Sequence, residues 1–394
     1  MVYFSAVGMV NALGSSLSEV SASLRAGLAP GMAPQQGWLL GDSPIWLGAV
    51  NTELPALPEP LLQHNSRNNR LLLAALSQIQ PEVSACILRY GASRVAVIMG
   101  TSTSGIFEGE RAVREYMPGS GDVAGQFPPG YHYQQQELGD PSLFLSRYLG
   151  LNGPSYTVST ACSSSVRAII SGKRLIESGM VDAAIVGGAD SLCRMPINGF
   201  NSLESLSAER CTPFAAGRKG INVGEAAALI LLSREPSPVA LLGVGESSDA
   251  WHMSAPHPEG HGAEQAIRMA LRQAGLQPAD VGYINLHGTA TRLNDQIEAL
   301  VVNRVFGHQT PCSSTKHLTG HTLGAAGATE AALSWLMLSR TLPLPVQDFS
   351  HSAWDATLAE INLVTKPEVL KTPVILSNSF AFGGNNACVI LGAG

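Results

Sequence analysis

Residues 226–232, Ala-Ala-Ala-Leu-Ile-Leu-Leu, form an apolar run with no polar alternation. A strand with one wet face alternates, so this run reads as a strand covered on both sides. Residues 183–186 read the same way and end in Gly187-Gly188. Further strands are expected at 2–10, 94–99, 155–158, 239–244, 281–286, 374–377 and 387–391. Helical patterns stand between them. Ser16 with Glu19 is a capping-box pattern opening a helix to about residue 28. Others are expected at 67–79, from Cys162 to 178 with Gly179 as a stop, at 262–274 with Gly275 after it, and at 323–338. Strands alternating with helices of this length imply an α/β fold with largely parallel pairing. Residues 29–63, rich in Pro and Gly, read as an irregular excursion, and 117–135 as a long loop.

The chain carries a weak internal symmetry. A cluster of small residues opens a long helix in each half, at 161–165 and again at 324–328. Such clusters let two helices approach closely. They point to a duplication joined near 234–238, with one half at 1–235 and the other at 236–394.

Composition narrows the function classes. Only 14% of the 394 residues are charged, which implies a small surface relative to core and suits a buried subunit interface. A net charge of −6 argues against nucleic-acid binding. The six cysteines lack C-x-x-C spacing, so reduced thiols in a cytoplasm are expected rather than disulfides or a zinc site. No apolar run reaches the roughly 18 residues of a membrane span. The first residues lack the basic region of a signal peptide.

Cys162, in Ser159-Thr160-Ala161-Cys162-Ser163-Ser164-Ser165, follows a strand and opens a helix. Unpaired N–H groups and the helix dipole there favour a thiolate nucleophile. The plain alternative is a small core residue. His287 in His287-Gly288-Thr289-Ala290-Thr291 follows the strand at 281–286, and ligands gather at the carboxyl ends of such strands. It reads equally as a histidine capping a turn. Lys316 and His321 lie in a segment of small residues with flanks that look buried, against the alternative of an exposed loop. Ser379-Phe380-Ala381-Phe382-Gly383-Gly384 is a glycine turn after a strand, either a tight hairpin or a backbone donor beside a mobile aromatic. His252, His257 and His261 lack zinc-site spacing.

These motifs, in this order, resemble those of the β-ketoacyl-acyl-carrier-protein synthases, elongating condensing enzymes of the thiolase superfamily. The resemblance runs from Val2 to Leu391. It implies a thiolase-like fold, with two pseudo-duplicated halves in an αβαβα layering, and an acyltransferase reaction without cofactor or metal. Cys162 would accept an acyl chain from a carrier protein. A malonyl thioester would then decarboxylate, and its enolate would attack the acyl group, extending it by two carbons. The N–H groups of Cys162 and Phe382 would hold the acyl oxyanion, and His287 and His321 the enolate oxygen. Lys316 would support the histidines with Glu330 as its partner, and Phe382 would gate the acyl tunnel. Thr289, Thr291 and Asp295 match a turn that steadies the loop near His287. Arg67 and Arg70 stand where relatives contact the acidic carrier protein, or are solvated helix charges. The resemblance also implies a dimer, either with itself or with a ketosynthase-like chain.

Departures from the family pattern are Ala381 in place of Gly, Asn385 in place of Thr, and Thr212-Pro213-Phe214-Ala215 where Arg and Asp are usual. The run 218–221 also differs. The first group implies a stiffer gating loop and no basic docking residue at 212–215. Together they suggest a specialised pathway, such as polyene or other secondary acyl chains. A non-catalytic subunit that sets chain length for a partner would be expected to lack Cys162. Thiolases and acyl-CoA-primed initiators use Cys-His-Cys or Cys-His-Asn sets, and a papain-like hydrolase would need an orienting Asn that nothing marks.

Overall fold

The computed structural model describes residues 1–120 and 124–394, so residues 121–123 of the loop expected at 117–135 lie outside the described residues. In the first half the strands are β1 (Val2–Val10), β2 (Val95–Gly100), β3 (Ser155–Val158), β4 (Ala183–Asp190) and β5 (Ala226–Ser233). In the second they are β6 (Val239–Ser248), β7 (Tyr283–Asn285), β8 (Pro311–Ser313), β9 (Val374–Phe380) and β10 (Asn385–Ala393). Their spatial order is β3-β2-β4-β5-β1 and then, outward from the junction, β6-β10-β9-β7-β8. Read in chain order, both halves have the same arrangement. Strands two, three and four of each are parallel, and the fifth joins the fourth and first antiparallel. The halves meet where β1 pairs β6 at Val2↔Leu241 and Tyr3↔Ala240. A two-residue strand, Asn362–Leu363, extends the edge beyond β8.

This corrects the expectation of largely parallel pairing. The unbroken apolar runs remain, because helices cover both faces of the antiparallel strands as well. Helices Ser164–Glu177 and Ala326–Arg340 lie between the two halves of the sheet and share one core with β1, β4, β5 and β10. Helix Arg67–Ser77 closes the outer face of the first half, and helices His261–Ala274 and Arg292–Phe306 that of the second. The result is the αβαβα layering.

The two small-residue clusters meet in the middle layer. A Cβ on Gly327 would stand 2.1 Å from Val166 Cγ2, and the Ser165 hydroxyl accepts from Ala328 N at 2.9 Å. The same closeness holds beneath the Cys162 helix, where a Cβ on Gly100 would lie 2.3 Å from Ser165 N.

The structure adds helices Gln80–Tyr90, Ile106–Arg114, Asp140–Tyr148 and Arg194–Ser202 and the strand Pro311–Ser313 to the sequence reading, and two further segments differ from it. The excursion at 29–63 contains a hairpin, Met32–Gln35 with Ile45–Gly48, and a 3₁₀ turn, Glu59–His64. Ile45 and Leu47 pack on Ile197, Ile221 and Val223, a two-residue pattern too short to stand out among Pro and Gly. Helix Arg292–Phe306 has no clear apolar stripe because Asp295 and Glu298 turn inward, both fully buried. Among the described residues, no single helix is long and apolar enough to cross a membrane.

Gly100→Ala should destabilise the fold by about 1–3 kcal/mol or more, because the added methyl meets backbone that cannot rotate away. Thermal denaturation checks this, and a midpoint equal to the parent's would contradict the packing of the Cys162 helix on β2.

Candidate active site

Cys162 sits on a sharp turn between β3 and helix Ser164–Glu177. Ala161 takes φ 52°, a left-handed conformation that is uncommon without glycine. Ser163 and Ser164 bond back to Thr160 and Ala161 and fix this elbow. Cys162 is 6% exposed. The backbone N–H groups of Phe382 and Cys162 act on the sulfur and favour its charged form. The amide of Phe382 is available because the turn puts Gly383 and Gly384 at φ 84° and 76°, with Gly384 N donating to Ala381 O instead.

His321 Nε2 lies 3.1 Å from Cys162 Sγ. On the ring's other side, Leu323 N donates to Nδ1 at 3.2 Å, so the proton of the neutral ring is on Nε2 and points at the sulfur. His287 stands edge-on to His321 with ring centroids 5.4 Å apart. Lys316 Nζ is 3.4 Å from His287 Nδ1 and 2.5 Å from Glu330 Oε1, and both Lys316 and Glu330 are buried. An ammonium only donates, so His287 also carries its proton on Nε2. Burial, then the Lys316 charge, holds both imidazoles well below the usual histidine range. Burial also pushes the Glu330 carboxyl up, against the pull of Lys316.

The thiolate expected from the helix N-terminus is corrected. Burial pushes the Cys162 thiol up to about 11, although Lys316 and the two amides pull it down.

The sequence motifs converge as follows. Cys162, His287, His321 and Phe382 line one cavity of about 260 Å³, with Thr289 and Thr291 at its wall. Thr289 and Thr291 join their hydroxyls at 2.8 Å. Asp295 accepts from Phe214 N and Ala290 N and lies 3.7 Å from Arg218, tying the 212–218 segment to the His287 turn. Phe382 packs against Phe200 at 5.7 Å. Arg67 and Arg70 are used internally. Arg67 bonds Glu225 through Nε and Nη2, and Arg70 bonds the carbonyls of Leu54 and Pro55. Both guanidiniums thus commit their Nε and Nη2 donors inside the protein. His252, His257 and His261 bond within their own loop and to Glu259.

Two carboxylates that position the site were not marked by the sequence. Glu298 accepts from His287 N and Gly288 N, each at 2.7 Å, and is pushed up to about 7 by burial. Asp190, at the end of β4, accepts from Ser102 N, Thr103 N and Ala325 N, which joins the two halves beside the site. The only signal for Glu298 was an acidic residue where a helix should bury an apolar one.

The chain is similar to three kinds of known protein. Residues 82–237 match the family model described as beta-ketoacyl synthase, N-terminal domain, and 239–349 that of the C-terminal domain. Nodulation protein E of Rhizobium meliloti is 37% identical over 255 residues, covering 62% of this chain and 63% of that protein. The 3-oxoacyl-[acyl-carrier-protein] synthase 2 of Rhizobium meliloti (strain 1021) is 36% identical over 260 residues, covering 61% of each. This chain thus matches less than two thirds of the length of these curated relatives. The solved ketosynthase ApeO, in complex with its chain length factor ApeC, from Xenorhabdus doucetiae, superposes with a TM-score of 0.95 at 62% identity, over 100% of this chain and 98% of that one.

A thiol held near 11 has a clear signature. Alkylation of Cys162 by iodoacetamide should keep rising with pH from 7 to beyond 10. A plateau near 8.5, the ordinary cysteine value, read by peptide mass spectrometry, would contradict the burial.

Proposed function

The chain belongs to the β-ketoacyl synthase family, and we propose that it is an active condensing acyltransferase that extends a carrier-bound acyl chain by two carbons. The observation that carries this is the pair of imidazoles, on His287 and His321, that each bring a ring nitrogen within 4.8 Å of the Cys162 sulfur while a donor stands behind each Nδ1.

The Cys162 sulfur attacks the acyl thioester carbonyl of a carrier protein. A carbon–sulfur bond to Cys162 forms, the bond to the carrier's thiol breaks, and the carrier thiol leaves with the proton. The tetrahedral oxyanion takes the N–H groups of Cys162 and Phe382, which cost no reorganisation because the turns already aim them. A malonyl thioester then enters with its thioester oxygen at the two imidazoles. Its carboxylate carbon–carbon bond breaks, carbon dioxide leaves, and the electron pair passes to an enolate whose oxygen accepts from both Nε2–H groups. Neutral imidazoles suit this role, as donors rather than acids. The enolate carbon attacks the acyl carbonyl, the bond to Cys162 breaks, and the released thiolate regains a proton. One β-ketoacyl thioester and one carbon dioxide result.

The partners follow from the surface. Arg292 and Lys219 line the mouth of the cavity, and they suit an acidic carrier better than Arg67 or Arg70. At the sheet edge, β3 has one unpaired side among the described residues, with Tyr156 40% exposed. That edge suits extension of the sheet by a second ketosynthase-like subunit, and the ApeO complex favours a chain-length factor in that place. All six cysteines are unbridged, in keeping with a reducing cytoplasm. The departures near Ala381 and 212–215 favour a specialised polyene or polyketide-type product.

Incubation with acyl-carrier protein should add one acyl group at Cys162, and malonyl-carrier protein should then remove it as a product two carbons longer. Intact mass spectrometry reads both steps, and folded protein that takes up no acyl group would sink the proposal. Cys162→Ala should abolish elongation, whereas Cys162→Gln should leave decarboxylation without condensation.

A further inference from the structure

Cys162, His287 and His321 also raise a question of metal chemistry. They bring three ligand atoms within 4.8 Å of one another, all buried. One thiolate and two imidazoles beside an open cavity form a donor set that suits a zinc-like cation. Whether a cation can enter depends on the hydrogen bonds behind the rings. In zinc sites the second ring nitrogen donates to a carboxylate or carbonyl, which frees the other nitrogen's lone pair for the metal.

Here both back contacts run in the opposite sense. Lys316 Nζ, 3.4 Å from His287 Nδ1, has donors and no acceptor. Leu323 N donates to His321 Nδ1 at 3.2 Å. Each ring is therefore held with a proton on Nε2, where a metal would need a lone pair. Shifting that proton to Nδ1 would set an N–H against an ammonium in one ring and against a backbone amide in the other. Glu330 keeps the ammonium in place, and the left-handed φ of 51° at Leu323 keeps the amide turned inward.

We propose that Lys316 and the Leu323 amide are a metal-exclusion device, holding both imidazoles as donors so that Cys162, His287 and His321 do not capture a thiophilic divalent cation. The role concerns the protein without substrate and stands apart from the condensing reaction. Lys316 acts here as a positioning residue.

Cobalt(II) serves as the probe, because a cobalt–thiolate bond gives a charge-transfer absorption. The parent protein should show weak cobalt binding. Lys316→Met combined with Glu330→Gln removes the donor without leaving a buried lone charge. It should bind cobalt about 10- to 100-fold more tightly, the usual scale of outer-shell effects, and adding Cys162→Ala should abolish the absorption. Equal affinity in the parent and the folded double variant would overturn the proposal. If the double variant does not fold, two-bond ¹H–¹⁵N spectra of the parent decide. Nε2–H tautomers in both rings support the device, and an Nδ1–H tautomer in either defeats it.

Discussion

The contact between Lys316 and Glu330 is the interaction around which the site is organised. It ties the short helix Lys316–Thr319 to the middle-layer helix Ala326–Arg340, with both side chains out of water. The same ammonium turns to His287. A buried pair of this kind adds little net stability, since two apolar residues could fill the space as well. Removing one partner is different, because the survivor is left as an unpaired charge at a cost of about 3–5 kcal/mol. What the pair contributes is orientation. It fixes one donor direction behind His287, and that direction decides which nitrogen carries the proton.

Backbone strain is concentrated at the same place. Ala161 precedes the nucleophile, Ala290 closes the His287 turn and Leu323 follows His321, and all three have positive φ without being glycine. Each such residue costs roughly 1–3 kcal/mol and persists only where its surroundings over-determine it. Here the surroundings are visible. Asp295 accepts from Ala290 N, and Asp190 holds Ala325 N two residues beyond Leu323. Serine hydroxyls brace the Cys162 elbow. The buried carboxylates that look costly in isolation are what hold the strained turns in place.

This explains what could be read from the chain and what could not. Strands and middle-layer helices follow from apolar runs and small-residue clusters, whose meaning is local. Cys162, His287, Lys316 and His321 stand out because each sits in a distinctive run of small residues. Glu298 and Asp190 do not, because their work is to accept N–H groups from turns distant in sequence. Helix Arg292–Phe306 was obscured by the same acidic side chains that make it useful. Strand direction in the middle of the sheet is not legible in the sequence, because burial on both faces does not depend on it. Arg67 looked like a surface charge, but its partner, Glu225, is 158 residues away.

The sulfur shows most clearly how the competing effects balance. A helix N-terminus favours an anion by about 0.3–2 kcal/mol. Moving a thiol from 9 to about 11 disfavours the thiolate by roughly 3 kcal/mol. Burial therefore wins, and it acts on the imidazoles in the same sense by opposing their cationic form. The Lys316–Glu330 pair stands directly behind the imidazoles, and charged residues of the cavity such as Lys219 and Arg292 are exposed at its wall. The donors are already aimed, at positions where negative charge would arise only as a bond forms or breaks. Such a site gains little by binding an anion at rest and most by stabilising one that appears during reaction, which is the differential that accelerates chemistry.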